Sequence, residues 1–258
     1  MRLTQNMKIH REYLDDYWAF IRKEIQPLLF GINFTFLSSF GQTFLLSLFV
    51  PHFIAHFDLT KTGFGTIYSV LTLISATCIP ILGGWIDQIP LKLYSLLVIL
   101  GLILGSLTTA LSGHLPVLIV GLFLLRLSGQ GLSTHTAMTS IGRIYDRERG
   151  KGLSLINLGL PLGEGMLPLV VAGLLTAISW RWTFGLIAIM VGFIFLPIQM
   201  YFLNISQLSN DSHKSSARDS ARAKDGKLFN PRQLLVYFSV MAQRQFWLIM
   251  PAVILPAF

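Results

Sequence analysis

The chain has 258 residues, of which 53% are hydrophobic and only 12% are charged, and its mean hydropathy is +0.62. Soluble domains carry about 25% charged residues, so this composition excludes an ordinary soluble enzyme, a disordered chain and a nucleic-acid-binding module. It favours a polytopic protein of the lipid bilayer. The single cysteine, Cys78, excludes an intrachain disulfide and a multi-cysteine zinc site.

Residues 1–27 are predicted to form a juxtamembrane segment, with an apolar stripe of Tyr13, Tyr17, Trp18 and Ile21. No cleavable signal peptide is predicted there, because no short apolar core precedes a small-residue cleavage site.

The residues from 28 to 203 contain a series of apolar runs, each close to the roughly 20 residues that a helix needs to cross a bilayer. These runs are apolar on every side, whereas membrane strands alternate in polarity over about 10 residues, so helices are favoured. The predicted fold is therefore an all-α membrane bundle. Its six spans are predicted at 28–51, 62–86, 93–112, 115–140, 152–180 and 182–203.

The region after the sixth span is predicted to be cytoplasmic. Residues 204–244 form a linker whose serine-rich and charged first part cannot bury a core, followed by an amphipathic helix at 231–244 on the inner leaflet. Residues 245–258 begin a seventh apolar stretch, which we expect to be incomplete. An alternative makes 234–258 a full seventh span, which would place Arg244 near its middle at a cost of about 2.5–3.5 kcal/mol.

The basic residues predict the orientation of the bundle. All of the 20 Lys and Arg residues except Lys61, Arg126 and Arg181 fall on one side of the predicted spans. Basic residues in short loops mark the cytoplasmic side, so we expect a cytoplasmic N-terminus in a bacterial inner membrane, with Trp180–Trp182 anchoring the other interface. The net charge of +8 then requires no nucleic-acid partner.

Two ionisable residues lie inside predicted spans, where such residues are expensive and mark functional sites by default. Arg126 is expected ~16 Å into span 4, and Glu164 ~20 Å below the outer face in span 5. Their similar depth predicts an Arg126–Glu164 ion pair. This pair would either fix helix packing or change with proton or substrate binding, and the sequence leaves both alternatives open.

The sequence around Glu164 predicts a kink, because proline removes a backbone hydrogen bond and glycine allows close helix approach. Gly159, Pro161 and Gly163 are the residues concerned, and ordinary packing is the alternative to a moving gate. His135 in span 4 is a candidate proton relay. His56 and its neighbour His52 are interpreted as polar interfacial residues, so no metal site and no cofactor are predicted.

The sequence lacks the motifs of ATP-driven and of proteolytic membrane proteins. The chain has no GxxxxGK[ST] phosphate-binding motif, so any energy is expected to come from a gradient. Ser128 lacks the preceding glycine of the GxSG motif in rhomboid-type membrane proteases, and the sixth span has no histidine. The chain is therefore not expected to be an enzyme.

Four segments resemble motifs of the major facilitator superfamily of transporters. Gly83–Asp87 (GGWID), with Lys92 in the same loop, resembles the signature between spans 2 and 3. Arg126–Gly131 resembles the arginine-plus-glycine motif of span 4, Asp146–Gly152 the loop before span 5, and the Gly-Pro-Gly stretch at 159–165 the span-5 motif. The resemblance extends over nearly the whole chain. It departs from the family after Asp87, where most of the usual basic and glycine positions are occupied by other residues.

This resemblance implies the six-helix N-terminal bundle of a twelve-span fold with a 3+3 inverted repeat. It implies gradient-driven symport or uniport of a small-molecule substrate by alternating access, with protons as a candidate coupling ion. Gly83, Asp87 and Lys92 would form a cytoplasmic gating motif. Substrate-facing or coupling residues would be Asn33, Gln42, Arg126, His135 and Glu164, and the positive charge of Arg126 would suit an anionic substrate group.

The end of the chain predicts an incomplete transporter. Residues 245–258 would extend only ~21 Å as a helix, which is short of a core of about 30 Å. We therefore expect either the truncated front of a secondary transporter or a half-size membrane protein that does not transport alone. The latter would need a second half or a second copy as its partner.

Overall fold

A computed structural model describes residues 15–145 and 147–205. Within these residues the chain is helical and has no strand. Five helices are long and apolar enough to cross a membrane, and a bent pair makes a sixth span if it is counted as one. This confirms the predicted all-α polytopic membrane fold. The segments predicted from 206 onward, including the amphipathic helix and the seventh stretch, lie outside the described residues.

We number the spans from 1 to 6 in chain order. Their bounds are Ile25–Gly41 with Thr43–Phe57, Lys61–Asp87, Leu91–Ala110, Leu115–Ile144, Arg149–Ala177 and Trp180–Ile205.

Spans 1 and 4 hold the bundle together. Span 1 packs against spans 4, 5 and 6, and span 4 also packs against spans 2 and 3. Half of the most apolar window of spans 3 and 4 is buried, against 22% for spans 2 and 5. The core therefore lies along spans 1, 3 and 4, and the long exposed faces belong to spans 2 and 5.

Span 1 is broken near its middle, whereas the sequence predicted one continuous helix. The helix Ile25–Ser38 tightens into a 3₁₀ turn at Ser39–Gly41, and Gln42 is extended, with φ −78° and ψ 150°. The chain becomes helical again at Thr43, and the two parts meet at 41°. The break places backbone atoms of Gly41 directly against span 4.

Span 4 also departs from a regular α-helix. Between α-helices Leu115–Leu125 and Thr134–Ile144, residues Arg126–Ser133 form a π-helix. π-Helical turns are rare, and they occur frequently at functional sites. The irregular parts of spans 1 and 4 face one another.

The boundaries of spans 4 and 5 differ from the predicted ones. Span 4 extends to Ile144 and span 5 begins at Arg149, whereas the apolar pattern placed these boundaries at 140 and 152. Hydropathy marks the hydrocarbon core, but basic side chains at helix ends can reach the interface while their backbone stays helical.

One end of the bundle, which we call the basic end, is formed by a helix at residues 15–23, the connection between spans 2 and 3, and the connection between spans 4 and 5. Phe20 is buried there, with its ring edge-on to Tyr145 at 5.3 Å. Tyr145 donates a hydrogen bond to Glu24 at 2.8 Å. Trp18 of the predicted apolar stripe is 59% exposed. The packing against Tyr145 is provided by Phe20, and the stripe stays a prediction.

The other end, which we call the opposite end, is held by Arg181 at the start of span 6. Its Nη2 donates to the carbonyl of Ser112 at 2.6 Å and to Nε2 of His56 at 2.9 Å. Trp180 is buried against Phe53, whereas Trp182 is exposed. Only Trp182 therefore has the exposure expected of an interfacial anchor.

Candidate functional site

A buried positive charge lies near the middle of the bundle. Arg126 is the first residue of the π-helix and is only 5% exposed. Its Nη1 donates hydrogen bonds to the hydroxyls of Tyr68 at 2.8 Å and Thr43 at 2.9 Å, and a longer one to the carbonyl of Gly41 at 3.4 Å. A single nitrogen thus joins span 4 to spans 1 and 2.

Tyr68 holds this guanidinium in two ways. Its ring centroid lies 4.8 Å from Cζ of Arg126, which is a cation–π distance. Its hydroxyl accepts from Arg126 and donates to Thr43 at 3.1 Å. The three side chains therefore form a closed hydrogen-bonded triangle, which we call the central cluster.

The local backbone explains how the central cluster forms. A Cβ atom on Gly129 would lie 2.7 Å from the Cα and N atoms of Gly41, so the two backbones touch where the broken span 1 meets the π-helix of span 4. Only glycine permits this approach. The contact brings the Gly41 carbonyl and the Thr43 hydroxyl within reach of Arg126.

The predicted Arg126–Glu164 ion pair was wrong. The described residues contain no such pair, and Arg126 turns toward spans 1 and 2. Glu164 is exposed on span 5, next to Gly163, which packs against Ser39 of span 1. The prediction used depth alone, but a helix also has a direction around its axis, and depth does not determine it.

The glycine and proline residues near Glu164 lie at an interruption of span 5. The helix Arg149–Ile156 ends before Asn157, and a second helix begins at Gly159. Pro161 lies in the first turn of that helix, and its ring would clash with the carbonyl four residues earlier, at Asn157, in a continuous helix. Gly159 packs against the backbone of span 1. The glycine and proline residues therefore lie beside the interruption of span 5, where Gly159 brings that span close to span 1.

A second polar group lies toward the basic end. The ring of His135 is 3.3 Å from the position that a Cβ on Gly83 would take, so Gly83 makes room for the imidazole. Nε2 of His135 is 3.4 Å from the hydroxyl of Thr139, and its buried Nδ1 has no hydrogen-bond partner among the described residues.

Asp87 forms an ion pair with Arg143, at the end of span 4. Both side chains are about half exposed. This contact, which we call the end pair, joins the last residue of span 2 to the end of span 4. Lys92, the third residue of the predicted gating motif, is exposed and forms no ion pair among the described residues.

Comparison with known families decides the identity of the chain. Residues 32–258 match the model of the Major Facilitator Superfamily, which is well over half of the sequence. The chain belongs to the Major Facilitator Superfamily. No curated protein sequence matches the chain.

Membership of the superfamily makes this chain an integral membrane transporter, and such transporters bind small-molecule substrates within the membrane. The predicted resemblance is thereby confirmed. Arg126 of the central cluster and Asp87 of the end pair lie in segments that resemble the motifs of the superfamily.

Two other predicted site residues in span 1 have different surroundings. Gln42 is the extended residue at the break and is half-buried. Asn33 donates to Oε1 of Gln199 in span 6 at 2.5 Å, and Gln199 donates in turn to the carbonyl of Phe30 at 3.2 Å. The amide of Asn33 is therefore used between spans 1 and 6, and the structure does not bring it to the central cluster.

Sequence reasoning missed the residues that hold Arg126. Thr43 and Tyr68 carry hydroxyls, which are common in apolar spans and gave no signal by themselves. Gly41 beside the polar Gln42 was the available sign of a break. Within the described residues there is no group of three or more His, Cys, Asp or Glu side chains that could hold a metal ion.

Proposed function

We propose that this superfamily member is a secondary transporter that moves a small solute by alternating access. The observation that supports this most directly is the buried Arg126, held by hydroxyls of spans 1 and 2 at a break in span 1. Irregular backbone at membrane depth is tolerated only where it is buried in protein or lines a cavity, and broken helices of this kind form substrate sites in transporters.

In this proposal the end pair is a gate at the basic end. The protein lies in a bacterial inner membrane, and its N-terminus is cytoplasmic. Asp87 and Arg143 are partly exposed, so their attraction is modest and can be broken and remade during a cycle. Gly83 contacts His135 one turn before Asp87 along span 2. This contact would keep spans 2 and 4 close while the end pair is formed.

Accessibility of a single thiol tests this gate. In a Cys78→Ser background, Ser47→Cys places the only thiol at an exposed position of span 1, one turn beyond Thr43. Asp87→Asn or Arg143→Gln should raise labelling of this thiol by a membrane-impermeant reagent applied from the basic end by several-fold. Arg22→Gln is the matched control, because it removes an exposed charge from the same end of the bundle but outside the gating motif. Equal labelling in all three variants would contradict the gate.

Transport itself is tested in proteoliposomes with an imposed pH gradient or membrane potential and a set of labelled small solutes. We expect uptake of at least one solute, and we expect Arg126→Gln to abolish it. If the solute accumulates only when a second six-span half is added, the alternative of a half-size protein that needs a partner is favoured. Uptake of no solute in either preparation would overturn the proposal.

Proton coupling is assigned to Glu164 in this proposal, with His135 as a relay. Glu164 is an exposed carboxylate on the apolar span 5, and it forms no ion pair among the described residues. Glu164→Gln should remove the pH dependence of uptake while leaving downhill exchange intact. Unchanged pH dependence would remove Glu164 from the mechanism without affecting the other assignments.

A further inference from the structure

We propose that the free edge of the Arg126 guanidinium binds a carboxylate, so that the transported solute is an organic anion. This inference rests on the proposed function for its transport part. It names the chemical class of solute that the central cluster would select.

The hydrogen bonds of Arg126 are distributed unevenly. Among the described residues, all three bonds to its side chain are made by Nη1. Within the described part of the chain the buried Nε has no hydrogen-bond partner, and none of the hydrogen bonds of Arg126 is made by Nη2. One edge of the guanidinium is thus attached to the protein, while the Nε–Nη2 edge is unused.

The charge of Arg126 is also unmatched. Its three partners are two hydroxyls and a carbonyl, which are neutral groups, and none of the ion pairs in the described part of the chain includes Arg126. A buried charge needs a partner of opposite sign, and Glu164 of span 5 does not supply it. An anion from outside the bundle would complete the site.

The shape of the free edge selects the kind of anion. Nε and Nη2 present two parallel N–H groups in one plane, which matches the two oxygens of a carboxylate. Tyr68 fixes that plane, because its ring lies under the guanidinium and its hydroxyl binds Nη1. The edge is therefore oriented before any ligand arrives, and little side-chain freedom is lost on binding.

The test uses the full chain in detergent, labelled with ¹⁵N-arginine, and follows the Nε–H resonance of Arg126, which is assigned by its loss in Arg126→Lys. Acetate is the probe, and acetamide is its neutral counterpart of the same size. We expect acetate to move the Arg126 resonance downfield in a saturable way, and acetamide to leave it in place. Arg181 is the internal control, because its Nη2 is already bound to Ser112 and His56.

The outcomes separate this inference from the proposed function. No shift with acetate, or an equal shift with acetamide, overturns the carboxylate site. Since the titration requires no transport, a saturable acetate shift with no flux in proteoliposomes would support the site and count against transport by this chain. Flux of a neutral solute without an acetate shift would support transport by this chain and overturn the carboxylate site.

Arg126→Lys also serves as a functional readout. Lysine retains the positive charge but lacks the planar pair of donors, so we expect it to bind acetate at least about tenfold more weakly, as measured by competition with a labelled carboxylate in wild type and variant. Equal affinity in the two proteins would show that charge alone is sufficient, and it would overturn the assignment to the Nε–Nη2 edge.

Discussion

Asn33 of span 1 and Gln199 of span 6 share a hydrogen bond of 2.5 Å between their side-chain amides. Gln199 is fully buried, and its nitrogen binds the carbonyl of Phe30. Span 6 is thereby attached to the same helix that carries the break at Gln42. A polar pair of this kind specifies which faces of two apolar helices meet, because sliding or rotation would leave buried amide groups unpaired.

We predict a measurable coupling between these two residues. Asn33→Leu or Gln199→Leu alone should lower thermal stability in detergent, since each leaves the other amide with an unmatched group. The double variant should recover part of the loss, with a coupling energy of about 0.6–1.7 kcal/mol, the range known for hydrogen bonds between membrane helices. Strictly additive melting shifts would show that the pair is not formed.

Tyr68 provides a second prediction. Tyr68→Phe removes the hydroxyl that binds Arg126 and Thr43 but retains the ring beneath the guanidinium. We expect a loss of about 1 kcal/mol in the free energy of unfolding, and a larger loss for Tyr68→Leu, which also removes the cation–π contact. Tyr201→Phe is the control, because Tyr201 is exposed on span 6. Melting temperatures of the variants check the order.

The contact between Gly41 and Gly129 predicts a strong effect from one methyl group. Gly129→Ala would place its Cβ 2.7 Å from backbone atoms of Gly41, and backbone cannot move aside as a flexible side chain can. We expect destabilisation of about 1–3 kcal/mol or more, together with loss of monodisperse protein on size-exclusion chromatography. In Gly65→Ala the new Cβ would meet nothing within 4 Å. If Gly129→Ala behaves like Gly65→Ala, the two spans are farther apart than described.

Tyr145, just after span 4, gives a prediction for alkaline pH. Burial raises its pKa, and the hydrogen bond to the Glu24 carboxylate raises it further. The folded protein therefore keeps this proton where an unfolded tyrosine, with a pKa of about 10, loses it. The stabilisation by this group is complete below pH 10 and is lost as the pH rises toward the folded-state pKa.

Tyr145→Phe tests this direction of the pH dependence of stability. The variant should be less stable at neutral pH by about 1.5 kcal/mol, because the hydrogen bond to the carboxylate is lost. Above pH 10 its melting temperature should fall less steeply than that of the wild-type chain. The phenolate absorbance that develops near pH 10 should be the same in both proteins, since Tyr145 does not contribute there. A smaller absorbance in the variant would contradict the raised pKa.

The sequence identified the charged residues of the site but not their partners. Arg126 and Glu164 stand out because a charge inside an apolar run has no ordinary structural explanation. Their directions around the helix axes did not enter the prediction, which used depth alone. Even a regular 3.6-residue repeat would not have given the direction of Glu164, because span 5 is interrupted between Ile156 and Gly159.

The partner of Asp87 in the end pair could not be predicted from the sequence either. Asp87 was predicted as a gating residue from its motif, whereas Arg143 was counted only among the basic residues that set orientation. Span 4 extends to Ile144, so Arg143 lies on a helix and can reach Asp87. Hydropathy alone ended the span at 140, and it therefore placed Arg143 in a loop where no particular partner could be inferred.

The π-helix of span 4 also sets the direction of every side chain that follows it. A π-turn holds one residue more than an α-turn, so the residues Arg126–Ser133 turn less about the helix axis than the same residues would in a regular α-helix. If this segment became α-helical, all that follows would be rotated by about 100° relative to Arg126. His135 would leave Gly83 and Arg143 would leave Asp87, although no residue in either contact had been changed. Within this segment the backbone hydrogen-bond pattern is as strongly constrained as the composition.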